Sequence, residues 1–259
     1  MRLLTGVAVA AVLLLATQLP SALAGARTSE QASDDRAAAT APVADVTSAV
    51  ADIEPSMFDE VPATANRIAT LGEALTVFAE RDGEKLTVLE PTTRFDAPRT
   101  LSVVSEHDDW LRVRLDERPN GSVGWVRTDE VDLTWTSLFV VIDLSERRLV
   151  LFDEGVPVET GIVAIGAERS VTPTGRTYVT DVVATPEATI YGPFALGLAL
   201  YSDTETEFAG GNGQIAIHGT NQPHLLGEEV SRGCVRVDND LVRRLAGRVP
   251  LGTPVVIVD

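Results

Sequence analysis

Two side chains near the C-terminal end of the sequence could carry out chemistry together. Cys234 is the only cysteine among 259 residues, and His218 lies sixteen positions before it. A lone cysteine with a histidine elsewhere in the chain is a candidate nucleophile and base, because a thiolate attacks carbonyl groups and an imidazole can take the thiol proton. The alternative is an inert core thiol, since unpaired cysteines are often buried.

The residues around this pair predict the elements that position it. The apolar run at residues 215–217 predicts a buried strand that ends at His218. Gly219 allows a turn directly after the histidine, and Gly233 lets the backbone come close to a reacting group. The alternation of Val, Arg and Val at residues 235–237 predicts a second short strand directly after the cysteine.

The segment HGTNQPHLLGEEVSRGCVR at residues 218–236 resembles the catalytic motif of the L,D-transpeptidase (YkuD-type) family. In that motif His-Gly is followed, after a spacer, by Ser-x-Gly-Cys, an apolar residue and usually Arg or Asn. Two upstream pieces also resemble the family: the glycine-bounded run at residues 161–166, which we expect to be one buried strand, and Thr-Pro-x-Gly at residues 172–175. The resemblance covers residues 137–259.

The resemblance implies a catalytic set of four residues. Cys234 is the expected nucleophile, His218 the general acid and base, and the backbone carbonyl of Gly219 the group that orients the histidine ring. A protonated histidine next to the cysteine would lower the thiol pKa and later protonate the leaving amine. The backbone N–H groups of Gly233 and Cys234 could form an oxyanion hole for the tetrahedral intermediate.

The expected substrate-binding residues surround that set. The resemblance implies that Arg236 supports the site and a substrate carboxylate, with an internal salt bridge as the alternative. Many family members have His at the position of Arg232; an arginine cannot act as a general base, so we expect it to add positive potential near the thiolate. Tyr191 lies in a region that helps form the family's substrate groove, although an ordinary core position is also open. The expected set further includes Ser231, Thr220 and Asn221.

The resemblance implies acyl transfer on peptidoglycan. Cys234 would attack a tetrapeptide stem, release the terminal D-Ala and form a thioester, which an amine of a second stem would resolve into a cross-link. Carbapenem-type inhibitors are expected to acylate the same thiol. The alternatives are an L,D-carboxypeptidase or another wall-modifying acyltransferase of the family, or a non-catalytic protein that binds the cell wall. The order of Cys and His is opposite to that of papain-like hydrolases, which are therefore excluded.

Composition excludes several other classes of function. The chain has 38 acidic and 21 basic residues and a formal net charge of −17, which argues against nucleic acid as a partner. Three dispersed histidines and one cysteine lack the spacing of a metal site, so we expect no metal and no other cofactor. A single cysteine also excludes an internal disulfide framework.

The N-terminal part of the sequence predicts export. Residues 1–24 have a basic start, an apolar stretch and a small-x-small cleavage site, as in a signal peptide. Residues 25–65 form an acidic linker rich in Ala, Thr and Pro, with too few apolar residues to fold. We therefore expect an extracytoplasmic protein, secreted or associated with the cell wall, with no membrane span after cleavage; the alternative is an uncleaved membrane anchor.

The rest of the chain predicts two mainly β units. Residues 66–135 contain short alternating strands, an Asn-Gly turn and a Gly-Trp-Val sequence, which together resemble a bacterial SH3-like β-barrel. That unit would either bind wall peptides or pack against its neighbour. Residues 136–259 would form the catalytic domain, a β-sandwich with one or two short helices. One of these helices should begin at Asp238 or Asn239.

Overall fold

The computed structural model describes residues 65–207 and 211–259. The predicted signal peptide and nearly all of the predicted linker lie outside these residues, so both stay predictions. Within the described ranges, no helix is both long enough and apolar enough to span a membrane.

Seven antiparallel strands form the first sheet. They are β1 (Asn66–Leu71), β2 (Leu75–Phe78), β3 (Lys85–Leu89), β4 (Thr100–His107), β5 (Trp110–Arg114), β6 (Val123–Arg127) and β7 (Val131–Thr136). Their order in the sheet is β3-β2-β6-β5-β4-β1-β7. In β5, Leu111 and Val113 are buried while Arg112 is exposed, which is the alternation that the sequence predicts. The SH3-like identity of this sheet stays a prediction.

Eight strands form the second sheet, in the order β10-β9-β8-β17-β12-β13-β14-β16, and two further strands, β11 and β15, pair with each other. The ten strands are β8 (Leu138–Asp143), β9 (Arg148–Asp153), β10 (Val156–Ile162), β11 (Ile165–Gly166), β12 (Gly175–Ala184), β13 (Phe194–Tyr201), β14 (Gln214–His218), β15 (Glu229–Ser231), β16 (Val235–Arg236) and β17 (Pro254–Val258). The two halves of the large sheet meet at β12, which pairs with β17 through its first residues and with β13 through its later ones.

One apolar core joins these two halves. It includes Val140 and Leu149 from one side of β12, and Leu196 and Ile217 from the other. The helix α1 (Asn239–Arg248) packs three buried residues into the same core: Leu241, Val242 and Leu245. Full burial of each such side chain contributes about 1.5–3 kcal/mol. The prediction of a mainly β fold with a short helix is confirmed.

Of two local predictions about these elements, the one for the helix start is confirmed and the one for residues 161–166 is wrong. The helix begins after Asp238, whose side chain accepts a hydrogen bond of 2.8 Å from the backbone N–H of Asp240; this leaves Asn239 for another role. The glycine-bounded run at residues 161–166 is not one strand. It belongs to two, β10 and β11, and the bridging residue Ala164 forms backbone hydrogen bonds with Arg236 instead.

The two sheets share buried residues. Tyr178 and Ala199, from the second sheet, belong to the apolar core of the first. Asn120 forms two hydrogen bonds with the backbone of Tyr201, at 2.7 and 2.9 Å, and the Tyr201 hydroxyl donates to the carbonyl of Asp116. The predicted boundary between residues 135 and 136 falls at the end of β7, so apolar packing and hydrogen bonds cross it.

Candidate active site

Strand pairing places the cysteine beside the strand that carries the histidine. β14 and β16 run parallel, with Ile217 opposite Val235 and His218 opposite Arg236. Cys234 directly precedes β16 and therefore lies next to Ala216, whose backbone hydrogen-bonds the thiol. The fifteen residues between His218 and Cys234 leave this sheet and return to it. They include a 3₁₀ turn at Pro223–Leu225 and β15, which pairs with β11.

His218 is held in one orientation. The side chain is 3% exposed, and its Nδ1 lies 2.6 Å from the carbonyl oxygen of Gly219. Because a carbonyl can only accept, Nδ1 carries the proton and the Nε2 lone pair remains available as a base. The ring of Tyr191 packs edge-on against the imidazole, with a centroid distance of 5.0 Å. The predicted role of the Gly219 carbonyl matches this geometry.

Asn239 supports the turn that supplies that carbonyl. Its Oδ1 accepts a hydrogen bond of 2.8 Å from the backbone N–H of Thr220. A Cβ atom on Gly219 or on Gly192 would lie 2.3 Å from the same oxygen, so both positions require glycine. Asn239, the first residue of the helix, therefore positions the Gly219 carbonyl that orients His218. The sequence did not reveal this role.

Two hydroxyl groups fix the loop that carries Cys234. Ser231 Oγ accepts from the backbone N–H of Gly233 at 3.1 Å and donates to the carbonyl of Cys234 at 2.6 Å. Thr172 Oγ1 accepts from the N–H of Gly166 at 2.9 Å and donates to the carbonyl of Gly233 at 2.9 Å. Gly233 itself has φ +106°, a conformation that favours glycine. The loop is thus set before any substrate arrives.

Three predicted roles need correction, because hydrogen bonds within the protein already use the polar groups. The N–H of Gly233 donates to Ser231 instead of facing an oxyanion, which leaves the N–H of Cys234 as the predicted donor. Ser231 holds the loop rather than the substrate. Thr220 is buried, and its hydroxyl accepts from the backbone N–H of Gln222 at 3.0 Å, so it stabilises the turn.

Asn221 also lies apart from the pocket. It is exposed, and its side chain donates to the carbonyl of Ala188 at 3.1 Å. The prediction that Asn221 contacts substrate is therefore not supported by its position, since its amide is turned towards a neighbouring loop.

Burial keeps both reactive groups neutral. It lowers the pKa of His218 to about 4, despite the opposing hydrogen bond to Gly219 and with a further lowering by Arg236. Burial also raises the pKa of the Cys234 thiol, although the hydrogen bond with Ala216 and the charge of Arg236 act in the opposite direction. The predicted protonated histidine that lowers the thiol pKa is therefore absent near pH 7, and the resting pair is a thiol and a neutral imidazole.

Cys234 and His218 open into one pocket of about 460 Å³. Tyr191, Ser231, Arg232 and Arg236 of the predicted substrate-binding set also line it. Burial and the proximity of Cys234 raise the pKa of the Tyr191 hydroxyl, and its ring contacts that of His218, so this side chain lies near both reactive groups. The predicted groove position of Tyr191 therefore fits the structure better than a core position.

Arginines supply most of the charge of this pocket. In the described part of the chain, the charged residues that line it are Arg94, Arg232, Arg236 and Glu205. The exposed Arg232 lies 3.7 Å from the carboxylate of the partly buried Glu205. Arg236 has a buried Nε with no hydrogen-bond partner among the described residues, and no described carboxylate pairs with it. An internal salt bridge, the alternative for Arg236, is therefore not formed within residues 65–207 and 211–259.

Comparison with known proteins agrees with this geometry. The model of the YkuD family, the L,D-transpeptidase catalytic domain, matches residues 137–257. Residues 137–257, the YkuD domain, are therefore similar in sequence to L,D-transpeptidase catalytic domains. A putative L,D-transpeptidase YkuD of Bacillus licheniformis is 34% identical over 118 residues, which are 46% of this chain and 64% of the relative. A probable L,D-transpeptidase ErfK/SrfK of Salmonella typhimurium is 31% identical over 137 residues, covering 46% of this chain and 44% of the relative.

The matches to the YkuD domain cover only part of each protein. The chain spans less than two thirds of the length of these two curated relatives. Among solved structures, L,D-transpeptidase 3 from Mycobacterium tuberculosis, in complex with a faropenem-derived adduct, is 12% identical with a TM-score of 0.43, over 73% of this chain and 97% of that chain.

The structure adds three kinds of residue that the sequence did not assign to the site of the YkuD domain. Thr172 and Asn239 fix the two turns that carry the reactive groups. Gln214 lies at the start of β14 and lines the pocket. Arg94 and Phe95 reach the pocket from the first sheet. The Thr-Pro-x-Gly sequence was the only local signal for any of them, because the other contacts join positions far apart in the chain.

Proposed function

We propose that the YkuD domain is a peptidoglycan L,D-transpeptidase that works through a thioester on Cys234. The observation that carries this proposal is the orientation of His218. With Nδ1 bound to the Gly219 carbonyl, the basic Nε2 is left for the pocket that Cys234 also lines. A partly buried thiol beside a fixed, neutral imidazole is an arrangement that allows general-base activation of a nucleophile.

The first half of the reaction forms the acyl-enzyme. His218 Nε2 takes the proton from Cys234 Sγ as the sulfur attacks the carbonyl of the stem residue that precedes the terminal D-Ala. The oxyanion of the tetrahedral intermediate accepts a hydrogen bond from the Cys234 N–H. The imidazolium then gives its proton to the leaving nitrogen, the C–N bond breaks, and D-Ala departs as a free amine.

The second half transfers the acyl group to an amine. The side-chain amine of a second stem attacks the thioester while His218 accepts its proton. The C–S bond breaks and the thiolate takes the proton back, so that the resting thiol and neutral imidazole are restored. Because burial holds the His218 pKa near 4, the imidazole is in its unprotonated form throughout the neutral range.

Arg236 is suited to a substrate carboxylate. Its guanidinium lies in a partly buried pocket, and its Nε has no partner among the described residues. A bound carboxylate would satisfy that group, and charge-assisted hydrogen bonds to a guanidinium are stronger than neutral ones. The same positive charge favours the thiolate, since it lowers the Cys234 pKa.

Water could replace the amine in the second half, which would make the protein an L,D-carboxypeptidase. The alternative of a non-catalytic wall-binding protein gives no reason for the fixed tautomer of His218 in a pocket that the thiol of Cys234 also lines. The predicted export signal and extracytoplasmic location would bring the domain to its substrate; both belong to this proposal.

An exchange assay tests the proposal. The full-length protein is incubated with a tetrapeptide stem and an amine acceptor, and products and protein adducts are followed by mass spectrometry. We expect released D-Ala, cross-linked product and a transient adduct on wild-type protein, and none of these with Cys234→Ala. Retained turnover by Cys234→Ala would refute the thioester mechanism. D-Ala release without cross-linked product would identify a carboxypeptidase.

A further inference from the structure

Two pocket-lining residues come from outside the YkuD domain. Arg94 and Phe95 lie in the segment between β3 and β4 of the first sheet, and they line the same pocket as Cys234 and His218. Phe95 is a large apolar side chain that remains 47% exposed, and the guanidinium of Arg94 lies 4.9 Å from the centre of its ring. A side chain so exposed contributes little to the core, so its contribution to the pocket needs a separate explanation.

A chain of hydrogen bonds fixes this segment on the second sheet. The buried Thr93 donates to the carboxylate of the buried Asp181 on β12 and accepts from the backbone N–H of Phe95 at 3.2 Å. Thr180 donates to the other oxygen of Asp181 at 2.7 Å and accepts from the side-chain amide of Gln214 at 3.0 Å. The segment is thus tied to the first residue of β14, the strand that carries the catalytic histidine.

Arg94 makes a second tie to the same end of β14. Its Nη1 donates to Oδ1 of Asn212 at 2.9 Å, two residues before the strand begins. Asn212 also lines the pocket. The first sheet therefore supplies one wall of the pocket at the beginning of β14.

β14 sets the order in which the pocket residues lie along one direction. His218 lies at the end of the strand, Gln214 at its start, and Cys234 beside Ala216 in the middle. At about 3.3 Å per residue, the backbone of Cys234 is level with a point roughly 7 Å along the strand from each end. Tyr191 and His218 occupy one side of the nucleophile, and the segment with Arg94 and Phe95 occupies the opposite side.

This order assigns the two sides to different parts of the substrate. His218 must reach the leaving nitrogen in the first half of the reaction and the attacking amine in the second, so both amines lie on its side of the sulfur. The acyl group that stays on Cys234 must then extend the other way. We propose that Arg94 and Phe95 form a subsite for the acyl donor, which recognises the part of the stem on the N-terminal side of the scissile carbonyl. This inference rests on the proposed function.

The charge of the pocket indicates the chemistry of that donor. Three arginines and one glutamate line it in a chain whose formal net charge is −17, so positive charge is concentrated at this place against the overall trend. A cation next to an exposed aromatic ring suits a peptide with a carboxylate near an aliphatic side chain. The subsite therefore takes an anionic peptide donor, with Arg94 facing its carboxylate and Phe95 covering its apolar part.

The test compares two donors that differ in one charge. One is a tetrapeptide with a free carboxylate on the N-terminal side of the scissile carbonyl, and the other is the same peptide with that group amidated. The rate of acylation of Cys234 in full-length protein is measured by intact mass for wild type, Arg94→Ala, Arg94→Lys and Phe95→Ala. Arg81→Ala and Trp135→Ala serve as controls. Arg81 lies between β2 and β3 and Trp135 lies on β7; both side chains are exposed and neither lines the pocket.

We expect Arg94→Ala to slow acylation by the anionic donor about tenfold or more, as for the loss of a charge-assisted hydrogen bond. The amidated donor should be almost unaffected, and Arg94→Lys should restore most of the preference for the anionic donor. Phe95→Ala should slow both donors several-fold. The partition of the preformed acyl-enzyme between amine and water should not change in any variant.

Three outcomes would overturn the inference. Acylation of both Arg94→Ala and Phe95→Ala at the wild-type rate would mean that these two side chains do not contact the donor. If the variants changed only the partition of the acyl-enzyme between amine and water, the subsite would bind the acceptor instead of the donor. Equal loss with both donors in Arg94→Ala, without rescue by lysine, would mean that the residue acts only through the fold. In contrast, a wild-type protein that neither donor acylates would refute the proposed function itself.

Discussion

The buried His218 makes the stability of the protein depend on pH in a way that can be measured. Its pKa is about 4 in the folded state and near 6.5 in the unfolded chain. Between these values the unfolded state binds more protons than the folded state, so the free energy of unfolding falls as the pH falls. At 1.36 kcal/mol per pKa unit, His218 costs roughly 3 kcal/mol of stability between pH 7 and pH 4.

Urea unfolding followed by tryptophan fluorescence at several pH values isolates this contribution. Wild type is compared with His218→Gln, and the quantity of interest is the change in unfolding free energy from pH 7 to pH 4 in each protein. Other titrating groups are common to both and cancel in the difference. From pH 7 to pH 4, the unfolding free energy of the wild type should fall by roughly 3 kcal/mol more than that of the variant. Most of this difference between the two proteins should appear below pH 6.5.

His224→Gln controls for the loss of an imidazole as such, because that side chain is exposed. It should follow the wild type across the whole range. Parallel pH profiles for wild type and His218→Gln would show that the histidine is not buried in its neutral form, and the proposed resting state of the active site would be wrong.

Three further predictions use the same protein. A carbapenem should add one adduct mass to wild type and none to Cys234→Ala, whose circular dichroism should be unchanged; an adduct that survives the substitution would place the reactive group elsewhere. Arg236→Met should slow alkylation of the thiol by iodoacetamide at pH 8, while Arg236→Lys should largely preserve the rate, because a positive charge at this position acts to lower the Cys234 pKa. Equal alkylation rates in wild type and both variants would show that Arg236 does not favour the thiolate. A fragment that begins at residue 136 should unfold at a lower temperature than the full chain, since it exposes Tyr178 and Ala199, which are buried against the first sheet; an unchanged melting temperature would mean that the two sheets are independent.

The sequence was sufficient for the local parts of the site. An apolar run before His218, a glycine after it and a glycine before Cys234 are features of neighbouring residues, so the two strands and their reactive ends could be predicted. The mainly β fold followed from the same short-range alternation. These features depend on strand geometry alone.

The parts that the sequence missed depend on contacts between distant positions. Nothing near Phe95 indicates that it lines a pocket with Cys234, because the contact requires the hydrogen bonds of Asp181 across the sheets. The direction of the thiol pKa was also missed, since it depends on depth of burial rather than on the neighbouring histidine. Hydroxyl side chains such as Ser231 were assigned to substrate because their use by the backbone cannot be read from residue type.

The position of β17 has a consequence for how the active site comes into existence. β17 lies in the middle of the large sheet, parallel to β8 and antiparallel to β12, although its residues follow those of β8 by more than a hundred positions. Closing so long a segment costs chain entropy before the contacts are gained, and non-local pairings of this kind slow folding. We therefore expect the halves on either side of β12 to join late, when the last strand inserts. On this expectation the pocket around Cys234 is complete only in chains that have finished folding.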